Sequence, residues 1–271
     1  MTGQDHSLEF TLKEDLDLAT EPNFHIPYLA GEFDGNRHRI SNLSLNRAFI
    51  PELGLFGSVA HGAKITQADV ENVDIFTDSG YIRGLAGHNL GATVSKSYST
   101  GRVSGGWIVG GLVDESWGTA DNPHSGASVI SGGRSGGLIG WNNGGTVRDS
   151  YSISSVTGHW DEFSGLVGRN NGPVSESCST GSVSGNSSVG GLVRINVAKG
   201  VISRSFYDRE TSGMEVSDHR RGNTTTETQD IATLSGAGWN MIAVANSSAH
   251  NLSYTQNIVD GETYPFLSWQ P

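Results

Sequence analysis

The sequence predicts an all-β protein that folds as a right-handed parallel β-helix, or β-solenoid, of about six coils with an irregular amino-terminal lead-in and a carboxy-terminal cap. Two observations predict this fold. Glycine accounts for 38 of the 271 residues, about twice its usual share of roughly 7%. A tetrapeptide Gly-Leu-x-x recurs at intervals of 26 to 30 residues, starting at Gly54, Gly84, Gly111, Gly137, Gly165 and Gly191. A fixed period of this length is typical of solenoids.

The segments between the tetrapeptides favour strands over helices. They are dense in Ser, Thr, Val and Gly, and each glycine in a helix interior costs about 1 kcal/mol relative to alanine. A period near 27 residues fits three short strands and three turns. Each repeat is therefore expected to form one coil that stacks on its neighbour at about 4.8 Å.

Stacking turns equivalent positions into columns, and these columns make chemical sense. An asparagine ladder is predicted at Asn89, Asn142, Asn170 and Asn196. A mostly aromatic column contains Tyr98, Tyr151, Cys178 and Phe206, a hydroxyl column contains Ser97, Ser150, Ser177 and Ser205, and a charged column contains Lys96, Asp149, Glu176 and Arg204. Because a bulge breaks the alternation of a strand, the sequence leaves open which columns face inward.

The ends of the chain depart from the repeat and divide it into three parts. Residues 1–50 carry strand patterns at Leu8–Leu12 and Ile40–Leu45 and are interpreted as lead-in coils. Residues 51–213 contain the repeats, and residues 214–271 are interpreted as a cap. A cap is expected because the last coil of a solenoid otherwise leaves its strand edges unpaired.

A short helix is predicted within the cap. Thr224 and Glu227 have the spacing of a capping box ahead of an apolar run. The helix is expected to extend from about Thr225 to Leu234 and to be closed by Gly236.

Composition and charge argue against several classes of partner. The 28 acidic residues against 17 basic residues give a formal charge of −11, and the basic residues do not cluster, so a nucleic-acid partner is not expected. No stretch approaches the roughly 18 apolar residues of a membrane helix, so membrane insertion is not expected. Cys178 is the only cysteine, which excludes an intrachain disulfide.

The repeats resemble the GLUG-motif family of microbial surface and secreted proteins. Six tetrapeptides in phase carry the resemblance, together with the approach Phe33–Leu43 and the ending Asp260–Leu267. The resemblance implies an extracellular or cell-surface location within a larger exported protein, beside adhesive or enzymatic modules. It implies no shared catalytic residues, so chemistry has to be argued from particular sites.

The third coil departs most from the pattern and holds the first candidate site. Asp114 replaces the last glycine of the tetrapeptide, and it is followed by further candidates at Glu115, Trp117, Asp121 and His124, with Trp141 and Arg169 on the next coils. Tryptophan faces stack on sugar rings, and carboxylates about 5 to 10 Å apart are what glycoside hydrolysis needs. Trp117 and Trp141 are expected in roughly equivalent turns. An exposed acidic turn without a ligand is the alternative.

A second candidate site lies on the edge that carries Trp107 and Trp160. These tryptophans belong to coils two apart, so they are expected about 10 Å from one another, and an extended glycan could follow them. His159 and Asp161 supply two metal ligands there without a third. No cofactor is expected, since the carboxylates at 15–17 and at 208–210 could contact calcium but lack the ligand count of a calcium loop.

These observations favour a non-enzymatic extracellular domain that serves as a rigid stalk or adhesion module and contacts a surface glycan or protein. A polysaccharide hydrolase or lyase with its site on the third coil is the second hypothesis. Convergence of Asp114, Asp121 and either a third carboxylate or His124 in one groove, with strongly shifted pKa values, would favour the enzyme. Self-association through an uncovered coil is a third possibility.

Overall fold

The chain is an all-β solenoid of about seven turns, as predicted. A computed structural model describes residues 7–46, 52–77, 81–160, 162–186, 188–218 and 220–270. Parallel strands stack coil upon coil into four sheets, and few residues are helical. The predicted boundary between residues 50 and 51 lies outside the described residues.

The coils supply strands in turn to the four sheets, which we number 1 to 4 in the order in which a regular coil visits them. Sheet 1 contains Glu9–Thr11, Glu32–Asp34, Lys64–Thr66, Thr93–Ser95, Thr119–Asp121, Thr146–Arg148, Pro173–Ser175 and Val201–Ser203. Sheet 2 contains Leu16–Asp17, Arg39–Ser41, Ser44–Asn46, Asp69–Thr77, Tyr98–Gly105, His124–Ser131, Tyr151–Ser152, Ser155–Gly158, Cys178–Ser179, Val183–Gly185 and Phe206–Tyr207. Sheet 3 contains Glu52–Leu53, Tyr81–Arg83, Ile108–Gly110, Arg134–Gly136, Phe163–Ser164 and Val189–Gly190. Sheet 4 contains Ile26–Leu29, Phe56–Val59, Ala86–Asn89, Val113–Ser116, Ile139–Asn142, Val167–Asn170 and Val193–Asn196.

A regular coil has four strands rather than the predicted three, because the tetrapeptide forms a bend between sheets 3 and 4. The first glycine of the tetrapeptide is packed against the next coil. A Cβ on Gly111 would lie 2.2 Å from the carbonyl oxygen of Gly137, and a Cβ on Gly137 would lie 2.2 Å from that of Gly165. No side chain fits at this distance, so the bend requires glycine in each coil.

The second residue of the tetrapeptide points into the solenoid. Its six copies are at most 2% exposed and comprise Leu55, Leu85, Leu112, Leu138, Leu166 and Leu192. The predicted asparagine ladder is confirmed for three of its four members, because the Asn142 amide donates to Asn170 and the Asn170 amide donates to Asn196, both at 2.8 Å. Asn89 lies opposite Ser116 and does not join it. The interior is therefore apolar, with a short ladder of amides that hydrogen-bond from coil to coil.

A column of left-handed residues makes the corner between sheets 1 and 2. The predicted charged column has φ values from 44° at Arg204 to 50° at Asp149. Gln67 and Asn122 extend this column, also with positive φ. Arg37, with positive φ in the longer turn of the preceding coil, aligns with Gln67 when counted back from sheet 2. The residue that follows is usually a serine such as Ser177, whose hydroxyl donates to a carbonyl two residues earlier. Below, "corner column" denotes Arg37, Gln67, Lys96, Asn122, Asp149, Glu176 and Arg204.

The aromatic column lies outside sheet 2, where the carboxy-terminal segment covers it. His124 joins this column between Tyr98 and Tyr151, with ring centroids 4.7 and 4.8 Å from theirs. Apolar side chains of the carboxy-terminal segment form a second hydrophobic core with Tyr151 and Cys178, and they comprise Leu234, Trp239, Met241, Ile258 and Leu267. The column thus attaches this segment to the solenoid.

After the last strand of sheet 2, the described residues form three short helices and five strands. The helices are α1 (Arg209–Ser212), α2 (Thr225–Thr228) and α3 (Ile231–Gly236); the strands are Val216–Ser217, Arg220–Arg221, Met241–Ala243, Gln256–Ile258 and Phe266–Leu267. The predicted capping box is confirmed at the start of α2. The predicted single helix is wrong, because Asp230 caps a new helix, and Gly236 is the last residue of α3 rather than its cap.

Only part of this segment closes the end of the solenoid. The Ser217 hydroxyl binds the amides of Leu192 and Val193 and so caps the last strand of sheet 4. The rest runs along the corner column. Side chains of Trp239, Gln256 and Trp269 donate to the carbonyls of Arg204, Glu176 and Asn122, at 2.6, 3.4 and 3.1 Å. It therefore spans the side of the solenoid from the sixth coil back to the third.

Candidate aromatic binding surface

Trp107 and Trp160 form a pair at the corner between sheets 2 and 3. Their ring centroids are 4.7 Å apart and their planes meet at 75°, much closer than the 10 Å expected for coils two apart. The intervening coil places Gly132 and Gly133 between them, and a Cβ on Gly133 would lie 3.1 Å from the Trp107 ring. Because glycine leaves this space empty, the two rings lean together.

The pair borders an open groove on the solenoid surface. Both indoles remain largely exposed, Trp107 at 58% and Trp160 at 57%. Phe76, also exposed, and the backbone of Gly105 and Gly106 complete a groove of about 350 Å³. Below, "aromatic groove" denotes this site. Asp161, the predicted metal ligand beside Trp160, lies outside the described residues.

A second row of predicted site residues lies on the outer face of sheet 4. The strand register aligns His88, Glu115, Trp141 and Arg169 on four successive coils. The guanidinium groups of Arg134 and Arg169 each lie over the Trp141 ring, 5.7 Å from its centroid. Cation–π contacts of this kind occupy the ring faces that a sugar would use.

Trp117 does not share this row. Glu115, not Trp117, lies opposite Trp141, so the expected equivalence of the two tryptophans is wrong. Trp117 follows the strand, is 43% exposed, and makes an edge contact with His88 at 6.4 Å. It is thus a single exposed indole.

The predicted third-coil residues are distributed over three sheets. Asp114 is fully buried, with its carboxylate close to Gly140, and Glu115 accepts a 2.9 Å hydrogen bond from Asn143 on sheet 4. Asp121 lies on sheet 1 and binds both Nε and Nη2 of Arg148 at 2.9 Å. His124 lies on sheet 2. These candidates do not share a groove in which an acid and a base could face one substrate.

His124 is held as a neutral ring. Burial lowers its pKa to about 3, its Nε2 accepts from the Gln270 amide at 3.3 Å, and the Trp269 ring lies 5.7 Å away. A buried imidazole stacked between two tyrosines has no route to a substrate. Its arrangement suits attachment of the carboxy-terminal segment.

The sequence reasoning missed a carboxylate pair beside the aromatic column. Asp69 is 6% exposed, and burial followed by repulsion from Glu71 raises its pKa to about 7. The Tyr98 hydroxyl donates to Glu71. Asp69 lies next to Tyr98 in the aromatic column, one coil earlier. Aligning the sequence of the first coil with that of the second would therefore have identified Asp69 as a member of this column. Burial similarly raises the pKa of Asp149, on the corner column, to about 7, with repulsion from Glu176 adding to the effect.

The carboxylates considered for calcium are engaged within the protein. Asp15 accepts from the Arg39 amide and Asp17 from the Asn42 side chain, at 3.0 and 2.8 Å. Asp208 caps α1 and accepts from Tyr264 at 2.6 Å. Among the described residues, no three His, Cys, Asp or Glu side chains are grouped so as to hold a metal ion.

Comparison with known proteins supports the fold. No protein-family model matches the chain. The crystal structure of a proposed immunoglobulin A1 protease from Bacteroides ovatus superposes with a TM-score of 0.68 and 16% identity, covering 97% of this chain and 86% of that one. At this identity the likeness concerns the fold alone.

One similarity is visible at the level of sequence. The chain is 33% identical to Halomucin of Haloquadratum walsbyi over 83 residues, which are 31% of this chain and 1% of Halomucin. The chain thus spans a very small part of that relative.

In the described ranges, no helix is long and apolar enough to cross a membrane.

Proposed function

We propose that this chain is a non-enzymatic extracellular domain that acts as a rigid stalk or adhesion module of a larger surface protein and binds glycans in the aromatic groove. One observation carries the proposal, namely the exposed pair of Trp107 and Trp160 across a floor of glycine. Exposed aromatic surface is costly in water, and a contiguous patch of it marks an interaction site.

The geometry of the groove suits a sugar chain. Two indoles at 75° present faces in different directions, so one ring can stack on a sugar while the other flanks its edge. Thr77 and the polar backbone of Gly105 and Gly106 line the groove beside the rings. Amphipathic aromatic rings next to such groups are typical of sites for polyhydroxylated ligands.

The extracellular location and the modular role are supported by sequence likeness and by the solenoid itself. The resemblance to GLUG-motif proteins supports both, and the partial match to Halomucin is consistent with a segment of a very long chain. The ladder of parallel strands on four sides supports a stiff spacer, because every coil is hydrogen-bonded to the next.

Affinity electrophoresis through neutral and acidic polysaccharides tests the proposal. The double variant Trp107→Ala, Trp160→Ala should lose at least tenfold in apparent affinity for the polysaccharide that retards the wild type. Val201→Ala removes exposed apolar surface from sheet 1 and should change the affinity less than twofold. Equal retardation of the double variant and the wild type would refute a site at the tryptophan pair.

The same incubations decide the enzymatic hypothesis. Polysaccharide recovered from them is assayed for new reducing or unsaturated chain ends. A non-enzymatic domain produces none. New ends that disappear in Asp114→Asn would overturn the proposal in favour of a hydrolase or lyase.

A further inference from the structure

A second groove, polar rather than aromatic, lies where the carboxy-terminal segment leaves the corner column. It has a volume of about 310 Å³, at the lower end of the range of roughly 300 to 1,000 Å³ for small-molecule sites. Its lining includes Arg37, Gln67, Lys96 and Asn122 from the corner column, and Asn240 and Tyr254 from the carboxy-terminal segment. Below, "polar groove" denotes this site.

The backbone explains why these side chains line one groove. Arg37, Gln67, Lys96 and Asn122 have φ values of 64°, 52°, 47° and 61°. Gln67, Lys96 and Asn122 occupy the same position on successive coils, and Arg37 lies in the longer turn of the preceding coil. Further along the column, the carboxy-terminal segment binds the carbonyls of Glu176 and Arg204. The last of these contacts is the bond from Trp269 to the Asn122 carbonyl, so the groove forms where the segment leaves the corner column, beside Gln67 and Lys96.

Among the described residues, some cations of the solenoid form ion pairs and others do not, and the two cations of the groove belong to the second kind. Ion pairs engage Arg39, Lys64, Arg134, Arg148 and Arg204. Within the described part of the chain, neither Arg37 nor Lys96 has such a partner, and no carboxylate lines the groove. In a chain with a formal charge of −11, two uncompensated cations at one groove indicate an anionic ligand.

The remaining lining suggests what carries the anion. Gln67, Asn122 and Asn240 offer amides that both donate and accept, which suits hydroxyl groups. Tyr254 is partly exposed and adds an aromatic ring. A simple inorganic anion would use only the two cations, whereas a sugar bearing a carboxylate or a sulfate would use all three kinds of group.

We propose that the polar groove binds an acidic sugar through Arg37 and Lys96, with the amides holding its hydroxyls. The inference extends the proposed glycan binding to a second, charge-selective site on the same domain. It uses none of the residues of the aromatic groove, so the two sites can fail independently.

Titration calorimetry on the full chain tests the inference with three oligosaccharides of equal length: oligogalacturonate, a sulfated galactan fragment and a neutral galactan fragment. The double variant Arg37→Gln, Lys96→Gln should lose at least tenfold in affinity for an acidic probe. Binding should weaken with added salt, because the contact is ionic and exposed. Preference for oligogalacturonate or for the sulfated probe identifies the anionic group.

Matched controls separate this site from general electrostatics and from the aromatic groove. Arg102→Gln, Lys199→Gln removes two exposed charges elsewhere and should change the affinity less than twofold. Trp107→Ala, Trp160→Ala should leave binding of the short acidic probe unchanged. Thermal denaturation checks that each variant folds.

Three results would overturn the inference. The first is equal affinity for acidic and neutral probes, and the second is an equal loss in the two charge variants. The third is binding of polyglutamate without binding of either acidic sugar, which would indicate an acidic protein partner. If Trp107→Ala, Trp160→Ala binds neutral glycans as tightly as the wild type, that result counts against the aromatic groove and not against the polar groove.

Discussion

Substitution of Gly137 by alanine tests whether the tetrapeptide glycines are required by packing between coils. The added Cβ would lie 2.2 Å from the carbonyl oxygen of Gly165 and 2.2 Å from Oγ of Ser152. A contact with a backbone oxygen cannot be relieved by a rotamer change, so one coil must move away from the next. Overpacking in a core costs about 1 to 3 kcal/mol, and we expect a loss of about 3 kcal/mol because the obstacle is backbone.

Urea unfolding followed by circular dichroism and by tryptophan fluorescence measures this loss. With a urea slope of about 2 to 3 kcal/mol per molar, the midpoint should fall by about 1 to 1.5 M. Gly236→Ala is the control, because the same methyl group meets no atom within 4 Å and lies in α3. There alanine should be neutral or stabilise by up to about 1 kcal/mol. A Gly137→Ala midpoint within 0.2 M of the wild type would refute the packing argument.

Three further predictions concern the columns and the carboxy-terminal segment. Asn170→Ala should cost about 1 to 3 kcal/mol in unfolding free energy by urea titration, because it breaks the buried ladder on both sides. Asp69→Asn should stabilise the protein at pH 8 but not at pH 4. Because the pKa of Asp69 is raised in the folded protein, the stability of the wild type falls as pH rises from about 4 through about 7. A variant whose stability depends on pH in the same way as that of the wild type would contradict this. Trp269→Ala removes a hydrogen bond to Asn122 and should speed proteolysis of the carboxy-terminal segment while raising the His124 pKa, measured by NMR.

The fold could be predicted from the sequence because its dominant constraint is local and repeated. Each coil needs glycine at the bend and leucine in the interior, so the period is visible without an alignment. The asparagine ladder was predictable for the same reason, since equal spacing in sequence becomes adjacency in space. The four-stranded coil could not be predicted, because the bend between two of its short strands has only two residues and does not interrupt the strand pattern of the sequence.

The candidate site was predictable in its residues but not in its geometry. Trp107 and Trp160 were selected by type, yet their close contact depends on what the intervening coil lacks, namely side chains at Gly132 and Gly133. His124 was grouped with acidic neighbours in sequence, whereas strand register places it in the aromatic column. The carboxy-terminal segment has no period, so its position along the corner column had no sequence signal.

Sheet 2 connects the two proposed grooves and fixes the distance between them. Within the second coil, Lys96 precedes the strand Tyr98–Gly105 and Trp107 follows it, and eight strand residues at about 3.3 Å each separate the sites by about 26 Å. A rigid separation makes binding by one glycan chain depend on its length. Acidic oligosaccharides longer than this span should bind more tightly than shorter ones, and losing either Arg37 with Lys96 or Trp107 with Trp160 should abolish that gain. An affinity that rises smoothly with chain length in the wild type and in both variants would instead indicate that each groove binds alone.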